Sequence, residues 1–307
     1  MPSLKGLYPG IQEGGTLPLQ NLQGAGVLTF GSVFFVHSVT GSDTANAGTT
    51  PEAPLATIDA AIGKCTAGKN DVIFVLPKHV ETLATAGAIA ADIADISIIG
   101  LGNGNSRPTL TLSATASTIA VSAANVLFRN IVITGSVAEL VTVFNITAAG
   151  CTLDAVDFHG GATSTIKFLT TSLAATFLTI KNCHHDTTAA VTANAWWLQL
   201  TGCDDVRIVD NYFNIVTSNN AASGIIGGLT TASLRVFIKN NELYNLGTSP
   251  LTLSMLAGST GLLSYNNIGG SKTAAAGAVQ PASCYCTNNY VTNVTSTSGK
   301  LDPVATA

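Results

Sequence analysis

Asp157, His184, Tyr212 and Glu242 come nearest to chemistry in this sequence: two carboxylates, an imidazole and a phenol spaced 27, 28 and 30 residues apart. Asp157 or Glu242 paired with His184 would be the minimum for general acid and base work. Hydrolysis of a polysaccharide needs two carboxylates about 5 to 9 Å apart across a sugar groove. Elimination needs a base and a cation to hold the carbanion. The chain has 17 acidic residues, and other groupings are few: Asp154 with Asp157, Asp204 with Asp205, and Asp186 beside His184 and His185. His79 and Glu81, in PKHVE, share one face of a strand by period two. No third partner lies near them in sequence, so the pair reads as structural. No GxSxG, P-loop, HExxH or EF-hand pattern is present, and no Cys/His cluster has zinc spacing. No metal and no cofactor is therefore expected. The catalytic candidates are Asp157, His184 and Glu242, and the plainer alternative for them is a polar corner exposed to solvent.

These residues need an element that brings them together, and the sequence supplies a repeat. Segments of the form apolar, any, apolar, any, Asn or Asp recur as Val126 to Asn130, Leu178 to Asn182, Val206 to Asp210, Val236 to Asn240 and Cys284 to Asn288. Weaker copies end at Leu76, Gly100, Ala155 and Asn266. The spacing of about 22 to 30 residues suits one solenoid turn of three short strands. The chain is thus expected to be all-β, a right-handed parallel β-helix of about eight turns. First and third positions of each segment should point inward, because strand side chains alternate. The fifth positions, Asn130, Asn182, Asp210, Asn240, Asn266 and Asn288, should form a column at a corner, where short amides bond neighbouring backbone. On that register Asp157, His184, Tyr212 and Glu242, each two residues past an anchor, line up at about 4.8 Å per turn. Arg129, Asp154 and Lys181, each one residue before an anchor, form an alternating charge ladder, which gives Asp154 a structural role.

The ends differ from the repeat. Residues 1–31 hold three prolines and no sustained period, and are expected to be an extended arm that docks Leu4, Leu7, Tyr8 and Ile11 on another protein. Residues 32–70 should supply an opening strand and a capping helix, in which Ile58, Ala61, Ile62 and Cys65 recur at helical spacing. Residues 71–295 are the β-helix, and 296–307 a short extended tail. Trp196 and Trp197 are adjacent on a strand, so one should face inward and one outward; Trp197 is named as a partner contact.

Composition excludes several classes. Only 10% of the 307 residues are charged, against about 25% in ordinary soluble proteins, yet no window approaches the roughly 18 to 20 apolar residues of a spanning helix. Thirteen scattered basic residues and a net charge of -4 leave no surface for a phosphate backbone. Neither a membrane nor a nucleic acid is an expected partner. The opening MPSLKGLYPGIQ does not read as a secretory signal, so the chain is expected to be made and kept in the producing cell's cytoplasm. The six cysteines are expected to be free and buried.

From residue 31 to 112, GSVFFVHSVTGSDTANAGTTPEAPLATIDAAIGKC, DVIFVLPKHVETL and ISIIGLGNGNSRPTL resemble the start of β-helical structural proteins of tailed bacteriophages, within the pectate-lyase-like fold class. That resemblance, with the sparse carboxylates and the arm, implies a non-enzymatic virion protein, a decoration or cement protein on the head exterior. It would be bound to the major capsid protein or another virion protein through the arm. Separately, no C-terminal cap is evident after Asn288, so a neighbouring subunit of a homotrimer, or a folded-back tail, is expected to cover that end. The alternative is a tailspike or fibre module that binds or cleaves host-surface polysaccharide. A third reading is a lyase or glycoside hydrolase unconnected with a virion.

Overall fold

The computed structural model of the chain describes residues 31–135, 137, 141–160, 167–191, 196–217, 224–228, 230–245, 251–272, 279–294 and 299–301. Over these residues the chain winds into a parallel β-helix whose three sheets hold ten, ten and eight strands. The repeated segments form the first sheet, which starts at Val33–Val36 and ends at Tyr285–Thr287. Within it Phe34, Ile73, Ile98, Phe128, Leu153, Ile180, Ile208, Ile238, Leu263 and Cys286 pair one with the next. All ten are buried, so one apolar column runs the length of the coil. Truncating any of its Ile, Leu or Phe members to Ala would cost about 2 to 5 kcal/mol. The six cysteines are free and buried, and burial pushes the Cys183 thiol up to about 12.

Two segments sit one residue out of the expected phase. Ile73 and Val75 face the core, whereas Val72 and Phe74 join Phe35 and Ile99 in a small apolar cluster on the sheet's other face. Similarly, Leu263 rather than Leu262 points inward. Residues 72–76 are all apolar, and Leu262 and Leu263 stand side by side, so alternation does not fix the phase in either place.

The corner column is real but its membership shifts. Asn130, Asn182, Asp210, Asn240 and Asn288 have φ between 52 and 58°, the left-handed region that Asn and Asp tolerate best. The same place is taken by Ala155 and, instead of Asn266, by Tyr265, at φ 52 and 57°. A second left-handed column at the start of the same strands includes Asn70, Asp95, Asn125, Phe177, Asp205 and Arg235.

Asn266 belongs to a ladder inside the coil. Asn211, Asn241, Asn266 and Asn289 are buried on successive turns. Each of the first three donates its Nδ2 to the next one's Oδ1 at 2.8 to 2.9 Å. That oxygen also accepts the preceding Asn's backbone N–H at 3.1 Å. The remaining amide hydrogens go to the carbonyls of Ile180, Ile208, Ile238 and Leu263.

The N-terminal end is closed by a helix, Ile58–Ile62, with Ile58, Ala61 and Ile62 buried and Thr57 capping the Ala60 N–H. Asp43 accepts from the Ala56 and Thr57 N–H groups and the Thr57 hydroxyl. Glu81 accepts from Ile58 N at 3.0 Å and meets His79 Nε2 at 3.1 Å. Thus the buried His79/Glu81 pair fastens the cap. At the other end Gly299–Leu301 turns back antiparallel on Asn289–Val294.

Candidate functional site

From Leu127–Arg129 to Gly261–Ser264 a left-handed corner residue ends each first-sheet strand, and a strand of the second sheet starts two residues later with an outward side chain. Asp157 pairs with His184, His184 with Tyr212, and Tyr212 with Glu242, so the four expected residues do stand in one row. The side chains that follow them, Phe158, His185, Phe213 and Leu243, are buried in the core. The next outward positions hold His159, Asp186, Asn214 and Tyr244, of which the last three are register partners. The result is a polar and aromatic strip two residues wide.

Asp157 is ion-paired with Arg107. The same guanidinium donates to the carbonyls of Ile131 at 3.2 Å and Ala155 at 2.6 Å. The His184 and Tyr212 rings stack with centroids 5.0 Å apart. Tyr244 Oη donates toward Glu242 Oε2 at 3.5 Å and accepts from Asn267 Nδ2 at 2.7 Å. Asn214 donates to Asp186 at 2.8 Å. Partial burial, then the carboxylates of Asp186 and Glu242, push the Tyr212 phenol up, so this strip holds protons on its phenols. Asp157 and Glu242 are three turns apart, about 14 Å at strand spacing, beyond the reach of a two-carboxylate glycosidase pair.

The other candidates are engaged elsewhere. Asp154 lies 3.5 Å from both Arg129 and Lys181 and accepts from Asn182, the expected charge ladder. Asp204 and Asp205 hold Arg235, and Asp204 also caps Leu234 N. That guanidinium keeps the Asp205 carboxyl below the usual range. His185 is interior: it stacks on Trp197 at 4.4 Å, and Nδ1 donates to the Phe158 carbonyl at 2.6 Å. Burial pushes its pKa down to about 4.

Trp197 is corrected: it lies in the core at 2% exposure, stacked on Phe168, because its position in the strand is an inward one. Trp196 is buried too, its ring across Gly224 and Gly227, where a Cβ would come within 2.3 and 2.0 Å of it. Leu4, Leu7, Tyr8 and Ile11 fall outside the described residues. Sequence reasoning missed Arg107 and His159. Period two from Asp157 would have found His159; Arg107 lies 50 residues before its partner and had no local signal.

No family model matches the chain, and no curated protein matches it. Solved structures with a similar fold include a rhamnogalacturonan lyase, 13% identical over 80% of this chain and 75% of that one, at a TM-score of 0.47. Another is the GH136 lacto-N-biosidase from Eubacterium ramulus, 12% identical over 85% of this chain and 67% of that one, at 0.43. Likeness this distant says nothing about what the chain binds or does.

Proposed function

We propose that the chain is a non-enzymatic structural protein of a tailed-phage virion, a decoration protein of the head exterior whose β-helix is a rigid body. The observation that carries this reading is where the acidic side chains go. Asp43, Asp59, Asp71 and Glu81 accept backbone N–H groups around the cap. Asp154, Asp157, Asp204 and Asp205 neutralise arginines and a lysine on the coil. These eight carboxylates serve the coil's own geometry, and the resemblance of residues 31–112 to phage β-helices supplies the setting. Attachment through residues 1–31 to the major capsid protein, and association as a homotrimer, complete the proposal. Peptide mass spectrometry of purified particles tests it: a copy number near that of the major capsid protein is expected, and a few copies per particle would move the chain to the tail. Deleting residues 1–25 should leave the circular dichroism spectrum unchanged and abolish incorporation; normal incorporation would shift attachment to the coil's flank.

A second reading, a tailspike module for host-surface polysaccharide, is favoured by the outward strip of His184, Tyr212, Asp186, Asn214 and Glu242. Stacked rings beside hydrogen-bonding groups suit a sugar. Incubation with capsular polysaccharide decides this. Release of reducing ends or unsaturated uronates would sink the non-enzymatic proposal.

A further inference from the structure

Asp157 and His184 stand opposite one another on adjacent parallel strands, Asp157–Gly160 and His184–Val191. His159 follows Asp157 by two residues and so leaves the sheet on the same face. One ligand atom from each of the three lies within 4.8 Å of the other two. A tetrahedral ion with bonds of about 2.0 to 2.2 Å sets its donors about 3.4 Å apart. Both imidazoles are exposed, so rotating them closes that gap without moving the backbone. Among the described residues neither ring has a hydrogen-bond partner, although His184 stacks on Tyr212.

We propose that Asp157, His159 and His184 form a binding site for one zinc-type divalent cation, with a fourth position open to solvent. The donor set, two imidazoles and one carboxylate, suits zinc and its neighbours rather than calcium, which takes oxygen ligands. Arg107 gives the site its outer support: it holds one carboxylate oxygen of Asp157 and is itself held by two backbone carbonyls. The other oxygen is left for the ion, as carboxylate ligands in metal sites are oriented by hydrogen bonds of their own. The guanidinium's positive charge makes the site weaker than a closed structural zinc site. His159 also edges a shallow cleft with Thr111 and Thr134, and the fourth position would take water or a neutral or anionic oxygen donor. This site depends on neither functional reading above.

The test uses untagged full-length protein, stripped by a chelator and titrated with Zn2+ against a chromophoric competitor. One ion per chain is expected, with affinity reduced about 10-fold or more in His159→Gln and in His184→Gln. Unchanged affinity in the double variant, or no binding by the wild type, would overturn the proposal. X-ray absorption of the Zn2+ complex should show nitrogen and oxygen donors only; sulfur ligands would assign the ion to thiols and overturn it as well. As a check independent of variant folding, Zn2+ added to the wild type should shift the imidazole NMR signals of His159 and His184 and leave buried His185 unmoved. Shifts elsewhere alone would refute the site.

Discussion

The inner ladder of Asn211, Asn241, Asn266 and Asn289 and the outer row of Asp157, His184, Tyr212 and Glu242 are both polar columns with one residue per turn, and they obey opposite rules. Inside, every amide hydrogen and oxygen must find protein, because a buried unpaired polar group costs about 1 to 3 kcal/mol. A repeated Asn meets that demand because each turn presents the same carbonyl and the same next amide. Outside, water completes any hydrogen bond, so four different side chains share one register without harm. Uniformity marks the column that holds the coil; variety marks the one free to meet other molecules.

Asn241→Ala should have the largest effect. It strips the Asn211 N–H and side-chain amide of their shared acceptor and should lower unfolding stability by about 3 to 5 kcal/mol. Urea titration measures this, and a loss below about 1 kcal/mol would erase the contrast between the columns.

A second test moves inward polar chemistry by pH. His185 is neutral in the fold, with a pKa pushed down to about 4, against about 6.5 unfolded. Between those values the unfolded chain binds the extra proton, so stability falls as pH drops from about 6.5 to 4. The full loss is about 3 kcal/mol, present as stability above pH 6.5. Urea midpoints at pH 7 and 4.5 should diverge in the wild type and converge in His185→Gln; equal slopes in both would remove His185 as the cause.

Smaller effects belong to the corners and the outside. Ala155→Asn gives the left-handed corner the residue type found on neighbouring turns and should raise stability by about 0.5 to 1 kcal/mol. A measured loss would mean that Asn cannot fit beside the Arg107 contact. Tyr212→Ser, in the outer row, should change stability by no more than about 0.5 kcal/mol. A loss comparable to Asn241→Ala would show the outer row to be structural after all.

The fold and the outer row were legible because both depend on a period that the sequence states openly in segments such as Leu178 to Asn182 and Val236 to Asn240. The inner ladder was hidden by adjacency. In the pairs Asn240-Asn241 and Asn288-Asn289 the first residue turns the corner and the second enters the core, and a single column was expected to account for both. Arg107 was invisible for a different reason: its partner arrives two turns later, and only the closed coil brings them together. The side of Trp197 could not be assigned from two adjacent tryptophans, since alternation fixes that the rings part but not which goes in.

The backward pairing of Gly299–Leu301 matters beyond its three residues. A parallel coil is a self-copying template, in which each edge strand dictates the direction and register of the one laid upon it, as a crystal face dictates the next layer. Laying the final strand the other way acts as a chain terminator. The edge offered by Asn289, Tyr290 and Val291 is already spent on a reversed partner, and a second molecule cannot continue the sheet there in parallel register. Rods of this protein joined tip to tail through that sheet are therefore disfavoured by the direction of one short strand.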